Sequence, residues 1–465
     1  PELYSKYVET ENGRPVIYVK LEKALYGTLQ AALLFWKDLS ENLEKWGFEM
    51  NPYDWCVANK TINGKQCTIV WHVDDLKISH VDPDVIEGVL AQLNERYGKE
   101  APLIVNRGKV HDYLGMQLDY SEEGKVKIVM KKYIQEMLDE LTAEMDGETA
   151  TPAANHLFAV NEKGTKLNTK DSEFFHTNTA KLLFLCKRAR PDVQTAVAYL
   201  TTRVKSPDED DYKKLTRVMR YLRATINLVL TLEADDMHVI KWHIDGSFAV
   251  HPDKKSHTGA TMSLGKGSAY STSKRQKLNT KSSTEAELVG VDDVMSQILW
   301  TQYFLKAQGC TISDSKIYQD NQSAMLLEKN GRGSSSKRIR HINIRYFFIT
   351  DRIARKEVAI QYCPTKEMVA DYFTKPLQGE LFYKFRDQIM GVVPMATIIG
   401  AHRSVLDGNP VTSEKPIRPS DKPTSAQTEG ARNKRKTHTN QSWADVVKSR
   451  PRNNANTALQ PLNKR

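Results

Sequence analysis

The chain has 465 residues, a formal net charge of +10, 40% hydrophobic residues and 27% charged residues. That length exceeds what one hydrophobic core serves, so two or three domains are expected. No apolar run approaches the ~18 residues of a spanning helix and no secretory leader opens the chain, which argues against a membrane protein. The scattered Cys56, Cys67, Cys186, Cys310 and Cys363 form no CxxC pair, so they read as buried thiols rather than disulfides or zinc ligands.

A chain that opens on Pro1 reads as a fragment or a processed product. A short strand at 16–19 precedes a helix in which Leu33, Trp36, Leu39, Leu43 and Trp46 recur at helical spacing and Gly47 is the stop. Strands at 56–58 and 66–73 flank Asn63-Gly64, a strong hairpin dipeptide. Asp74-Asp75 follow, and 76–79 resumes a strand. The two acids are either a solvated turn or a metal pair for nucleotidyl transfer. Next come an amphipathic helix at 85–97, a strand at 113–120, another at 124–129 and a helix at 131–141. The Thr-, Asn- and Gly-rich stretch 146–171 reads as a connector. Helices at 182–186, 193–204 and 212–222, punctuated by Arg190-Pro191-Asp192 and Ser206-Pro207-Asp208, read as a spacer between flanking domains.

From Val239 the pattern becomes strand, hairpin, helix, strand, helix, strand, helix, as in a mixed sheet flanked by helices. An apolar run at 239–244 ends on Asp245 and breaks at Gly246 and Ser247, which puts that carboxylate at a buried strand end. Glu287 starts a helix whose apolar face carries Leu288, Val291, Met295, Ile298 and Leu299; Asp320 ends a short strand; Asp371 opens a last helical segment. Four acids gathered from such positions repel one another unless cations lie between them, and hard oxygen ligands suit Mg²⁺. Two such ions clamp the attacking and leaving oxygens of a phosphodiester. Ordinary roles stay open for each acid. Glu287 stands three after Thr284 and Glu285 three after Ser282, both capping arrangements, so Glu285 rivals Glu287. Asp371 suits a helix N-terminus, and Asp320-Asn321 suits a turn. A Gly/Ser loop at 331–336 precedes Lys337-Arg338-Ile339-Arg340-His341. Residues 401–465 hold 13 Lys+Arg against 5 Asp+Glu, so most of the positive excess lies in a tail whose polar composition argues disorder. Its apolar exception is Trp443-Ala444-Asp445-Val446-Val447.

Leu25-Tyr26-Gly27 with Gln30-Ala31, His72-Val73-Asp74-Asp75, and Tyr113-Leu114-Gly115-Met116 resemble the later polymerase motifs of copia-like LTR-retrotransposon reverse transcriptases. Ser282-Ser283-Thr284-Glu285-Ala286-Glu287, Asp320-Asn321-Gln322-Ser323-Ala324, Arg340-His341-Ile342 and Ala370-Asp371-Tyr372-Phe373-Thr374-Lys375-Pro376-Leu377 resemble the ribonuclease H domain of the same elements. The resemblance implies an α+β and α/β multidomain chain: a partial palm and thumb at 1–145, a connector and helical connection at 146–236, a ribonuclease H-like mixed sheet flanked by helices at 237–391 and a basic disordered tail at 392–465. It implies hydrolysis of the RNA strand of RNA–DNA hybrids, with Asp245, Glu287, Asp320 and Asp371 as the metal-binding acids. Two Mg²⁺ ions per active site are implied, with Mn²⁺ as the alternative. Asp74 and Asp75 would be two polymerase metal ligands. His72 replaces the family's Tyr, Gly27-Thr28-Leu29-Gln30-Ala31-Ala32 replaces Gly-Leu-Lys-Gln-Ala-Pro, and the family's first metal-binding Asp belongs to an earlier motif. RNA-directed DNA polymerase activity is therefore expected to be incomplete in this chain and to need an upstream Pol segment. The implied partners are the hybrid, an RNA template and a DNA primer, contacted by Gln30, Lys337, Arg338 and Arg340, with His341 assisting product release. The implied setting is a cytoplasmic virus-like particle or the nucleus, without membrane and with no oligomeric state specified. A non-catalytic nucleic-acid-binding remnant of a decayed element is the competing reading.

Overall fold

The computed structural model describes residues 2–20, 25, 27–99, 101–331 and 343–395. Lys337, Arg338, Arg340, His341 and residues 396–465 of the expected tail, with Trp443, lie outside them. Among the described residues no helix is long and apolar enough to cross a membrane.

A hairpin of β1 (Val8–Glu11) and β2 (Arg14–Ile17) opens the chain. Thr28 caps α1 (Leu29–Lys45) by accepting the Ala31 amide at 3.2 Å. Strands β3 (Glu49–Asn51), β4 (Asp54–Ile62), β5 (Lys65–His72) and β6 (Asp75–Ser79) make an antiparallel sheet in that order. Asn63 and Gly64 both take positive φ, 52° and 72°, the primed turn that suits a two-residue hairpin. Cys67, Ile69 and Trp71 alternate along β5 and pack with Leu39 and Leu43 of α1 and Val89 and Leu93 of α2 (Pro83–Tyr97). The strand expected at 113–120 is instead a hairpin. β7 (Val110–Tyr113) turns at Leu114 and Gly115, φ 52° and 76°, into β8 (Met116–Asp119). An apolar run conceals this turn because Leu114 takes a left-handed conformation its side chain disfavours. β9 (Lys125–Val129) and α3 (Lys131–Asp139) follow.

Helices α4 (Thr169–Cys186), α5 (Gln194–Thr201) and α6 (Glu209–Ala224) share one core with α3 and with Val369, Tyr372, Phe373, Phe382 and Phe385 near the far end of the described chain. Packing therefore runs across the expected divisions at 145/146 and 236/237, and the helical segment is more than a spacer. The Arg190-Pro191-Asp192 punctuation is likewise more than a turn. Arg190 and Asp192 are each 1% exposed and paired at 2.8 Å, with Tyr221 donating to Asp192 at 2.8 Å and the Thr225 carbonyl accepting from Arg190 at 3.0 Å. Buried charges persist only when paired and hydrogen-bonded in this way.

β10 (Leu230–Ala234) pairs with β9. β11 (Val239–Ser247) and β12 (His257–Ser263) are antiparallel; the short β13 (Gly265–Lys266) joins β10; and β14 (Tyr270–Arg275) returns along β12. α7 (Ser283–Ala307) lies across β11 and buries Leu288, Val291, Met295 and Ile298. β15 (Asp314–Gln319) runs parallel to β11, α8 (Gln322–Asn330) and α9 (Asn343–Ala354) follow, and β16 (Ala359–Tyr362) runs parallel to β15. The mixed sheet thus has the order β14-β12-β11-β15-β16. A 3-10 turn at Val369–Phe373 leads to α10 (Gly379–Ile389). The far end of α7 rests on the first sheet. Trp300 donates its indole N–H to the Tyr53 carbonyl at 3.0 Å, Tyr303 packs on Tyr53 at 5.5 Å, and Gln66 donates to the Gln308 carbonyl at 3.2 Å.

Candidate active site

Asp245 is two residues after His243 on the central strand, so both point to one face. His243 is buried and stacked on Tyr318 at 4.7 Å, and burial pushes it down to about 3, so it brings no positive charge to that face. Gly246 has no side chain to hold α7 away: a Cβ there would stand 2.5 Å from the Ala286 carbonyl oxygen. The close approach lets the Gly246 amide donate to Glu287 Oε2 at 2.8 Å. Asp320 follows β15 directly. Its amide and that of Asn321 donate to Gln319 Oε1, while Asn321 accepts the Ala324 amide at 3.1 Å and caps α8. Asn321 therefore serves the turn, and the Asp320 carboxylate accepts the Thr365 hydroxyl at 2.9 Å. One ligand oxygen each of Asp245, Glu287 and Asp320 lie within 4.8 Å of one another, the first two residues buried and the third partly so. They line an open cleft with Ser283, Asn321 and Lys375.

Glu285 and Glu287 are bonded differently. Ser282 accepts the Glu285 amide at 3.2 Å, and Glu285 Oε2 reaches back to the Lys281 amide at 2.7 Å, so Glu285 holds the helix start. Asp371 sits on the 3-10 turn pinned by the shared core, where Thr195 donates to the Tyr372 carbonyl at 2.6 Å. It is not among the three mutually close acids. It joins them through Lys375, whose Nζ stands 2.7 Å from Asp371 Oδ1 and 3.6 Å from Asp245 Oδ1. The Thr374 hydroxyl donates to Asp245 Oδ2. Gly259, opposite Asp245 on β12, makes room for this: a Cβ there would meet Thr374 Cγ2 at 2.6 Å.

Burial, then Asp245 and Asp320, hold the Glu287 carboxyl well above the usual carboxylate range. Burial and Asp245 raise Asp320 in the same direction. Asp371 is pushed up to about 7, by burial first and Asp245 next, against the pull of Lys375. Burial disfavours the Lys375 ammonium, yet Asp245 and Asp371 outweigh it and raise the group above its ordinary value. Ionising all of these carboxyls together is therefore unfavourable unless protons or added cations offset their mutual repulsion.

Elsewhere, Asp74 sits in the β5–β6 turn beside Val73 at φ 57°, and Asp75 starts β6 opposite His72; both acids are exposed. Among the described residues they have no third close ligand of the kind that assembles around Asp245. Gln30 is exposed in the first turn of α1. Sequence reasoning assigned no role to Thr374, Lys375 or Gly246. The first two stand three and four residues after Asp371, a spacing that could have signalled shared contacts.

Residues 6–154 match the family described as reverse transcriptase (RNA-dependent DNA polymerase). The retrovirus-related Pol polyprotein from transposon RE1 of Arabidopsis thaliana is 28% identical over 381 residues, 82% of this chain and 25% of that protein. The Pol polyprotein from transposon TNT 1-94 of Nicotiana tabacum is 25% identical over 381 residues, 80% of this chain and 28% of that protein. The chain is similar to the Pol polyproteins of copia-like retrotransposons, and its residues 6–154 match the reverse transcriptase family. It spans about a quarter of the length of these two relatives. A transposon Ty5-1 protein of Saccharomyces cerevisiae is 25% identical over 292 residues, 62% of this chain and 92% of that protein. A foamy viral protease–reverse transcriptase solved with an RNA/DNA hybrid aligns with 77% of this chain and 41% of its own, at 12% identity and a TM-score of 0.44. The family match holds Gln30, Asp74 and Asp75, and Asp245, Glu287, Asp320 and Asp371 lie beyond it.

Proposed function

We propose that the part of this chain from β11 to α10 is a ribonuclease H that hydrolyses the RNA strand of RNA–DNA hybrids. The observation that carries the reading is the convergence of Asp245, Glu287 and Asp320 on one cleft of the mixed sheet. Their donor set is all carboxylate oxygen, which fits Mg²⁺, or Mn²⁺, better than a softer metal. Asp245, Glu287 and Asp320 would hold the metal, with Asp371 reaching the cluster from the Lys375 side. Bound there, the metal supplies an activated water and stabilises the leaving 3′ oxygen. The chain's own part is to fix the ligands. The Gly246 amide orients Glu287, the Thr374 hydroxyl orients Asp245, and the Thr365 hydroxyl orients Asp320. The substrate would be gripped through backbone and 2′-hydroxyls along an A-like groove, without sequence readout.

The test is Mg²⁺-dependent cleavage of a labelled RNA–DNA hybrid beside an all-DNA duplex. Asp245→Asn and Glu287→Gln are each expected to lose about 100-fold or more, the upper end of what disturbed ligand shells cost. Glu285→Gln, which touches the helix start, should keep most of the cleavage and lose only capping stability, about 1 kcal/mol. Equal cleavage by Asp245→Asn and the parent refutes the assignment, and hybrid binding without cleavage by the parent favours the non-catalytic remnant.

A further inference from the structure

One of the cations facing the acid cluster is supplied by the chain itself. Lys375 Nζ bridges Asp371 Oδ1 at 2.7 Å and Asp245 Oδ1 at 3.6 Å, and its side chain remains 40% exposed where it lines the cleft. The two carboxylates it joins come from different elements, the 3-10 turn and the end of β11. The backbone on either side is fixed without the ammonium. Phe373 lies in the shared core, Thr374 is fully buried with its hydroxyl on Asp245, and the Lys375 amide donates to the Asp371 carbonyl at 2.9 Å. Only the flexible four-carbon stem holds Nζ between the carboxylates, and such a stem reorients without moving the main chain. A point charge seated between two carboxylate oxygens takes the place of an ion that would be shared by them.

We propose that Lys375 is a displaceable counter-cation. Its ammonium occupies the Asp245–Asp371 side of the cluster until a divalent ion enters that side, and the freed ammonium then turns along the cleft toward the phosphate backbone of the bound strand. Divalent ions therefore fill the cluster unequally. The Asp245–Glu287–Asp320 side binds first, and the Asp371 side binds more weakly because an ammonium must leave it. Exchange of one +1 charge for one +2 charge leaves the Asp245–Asp371 pair faced by a cation before and after the step, so the exchange does not leave that pair bare. The phosphate contact rests on the nuclease reading; the competition with metal does not.

The experiment is Mn²⁺ binding to the whole chain without nucleic acid, followed by calorimetry and by the electron paramagnetic resonance of free Mn²⁺. Lys375→Met keeps the stem and removes the charge. It is expected to tighten the weaker Mn²⁺ equilibrium about tenfold or more, the scale on which a single adjacent charge shifts a carboxylate equilibrium. Lys375→Arg keeps a cation and is expected to stay with the parent. An unchanged or weaker affinity in Lys375→Met, or no Mn²⁺ uptake by parent and variant alike, overturns the proposal. Tighter Mn²⁺ binding in Lys375→Met together with a parent that cleaves no hybrid sinks the nuclease reading and leaves the counter-cation standing. Full cleavage with unaltered affinity does the reverse.

Discussion

Two glycines at the seam of β11 and α7 should respond to the same substitution with opposite signs. In Gly246→Ala the new Cβ would lie 2.5 Å from the Ala286 oxygen, 2.6 Å from the Ala286 carbonyl carbon and 2.8 Å from the Glu287 nitrogen. All three are backbone atoms in the first turns of a 25-residue helix, so no side chain can swing aside. Restoring an ordinary contact of 3.4 Å requires strand and helix to part by about 0.9 Å, at a cost of about 1–3 kcal/mol for overpacking. The same movement stretches the 2.8 Å bond from the Gly246 amide and draws Glu287 away from Asp245 and Asp320. A displacement of about 1 Å in a ligand shell is expected to reduce hybrid cleavage about 100-fold. In Gly290→Ala, on α7 over the same strand, the Cβ would meet the Asp245 oxygen at 3.6 Å, Ile244 Cγ2 at 3.7 Å and Thr258 Cγ2 at 3.8 Å, all ordinary contacts. Replacing an interior helical Gly by Ala there should stabilise the fold by about 0.5–1 kcal/mol and leave cleavage near the parent. Thermal unfolding and hybrid cleavage measured side by side decide the matter. Parental cleavage and melting in Gly246→Ala would refute the claim that backbone approach at this seam sets Glu287. Equal losses in both variants would assign the effect to general packing instead.

Glu328 on α8 is fully buried, neither of its carboxylate oxygens has a hydrogen-bond partner among the described residues, and burial pushes it up to about 8. The folded state thus keeps a proton that the unfolded chain releases near its ordinary value of 4.5, so stability is highest below that value and falls as pH climbs toward 8. Glu328→Gln should match the parent near pH 4 and exceed it by about 3 kcal/mol at pH 7; denaturant unfolding across that range with the same slope in both proteins would refute the argument. At the other end of the chain, Asp74 and Asp75 stand exposed without a third close acid among the described residues, so extension of a DNA primer on an RNA template by this chain alone is expected to stay at background. Robust extension would show that the missing ligand is supplied from within.

What the sequence discloses here is mostly local. Asn63-Gly64 announces its hairpin because positive φ is a property of those two residues. Leu114-Gly115 hides one because Leu114 carries no such signal. The strand expected to break after Asp245 runs on through Gly246 and Ser247, both still paired to β12, whereas the helix start before Glu287 follows from period and punctuation. The choice between Glu285 and Glu287 does not, since each stands three residues after a hydroxyl. Only the bonds from Ser282 and to the Lys281 amide separate them. Arg190 and Asp192 read as punctuation because the partners that make them a buried pair, Tyr221 and Thr225, lie a full helix away. Lys375 and Gly246 acquire their roles from close approach between distant segments, which a one-dimensional pattern does not encode.

α7 is held at both ends. Glu287 joins the acid cluster near its start, while Trp300, Tyr303 and the Gln308 carbonyl rest on Tyr53 of the β3–β4 turn and Gln66 of β5. Thirteen residues of helix separate Glu287 from Trp300, a rise of roughly 20 Å. The helix is in effect a push-rod: a load applied to the sheet beside Asp74 and Asp75 reaches Glu287 through the two-residue β3–β4 turn and through Gln66 of β5 as a displacement of a stiff body.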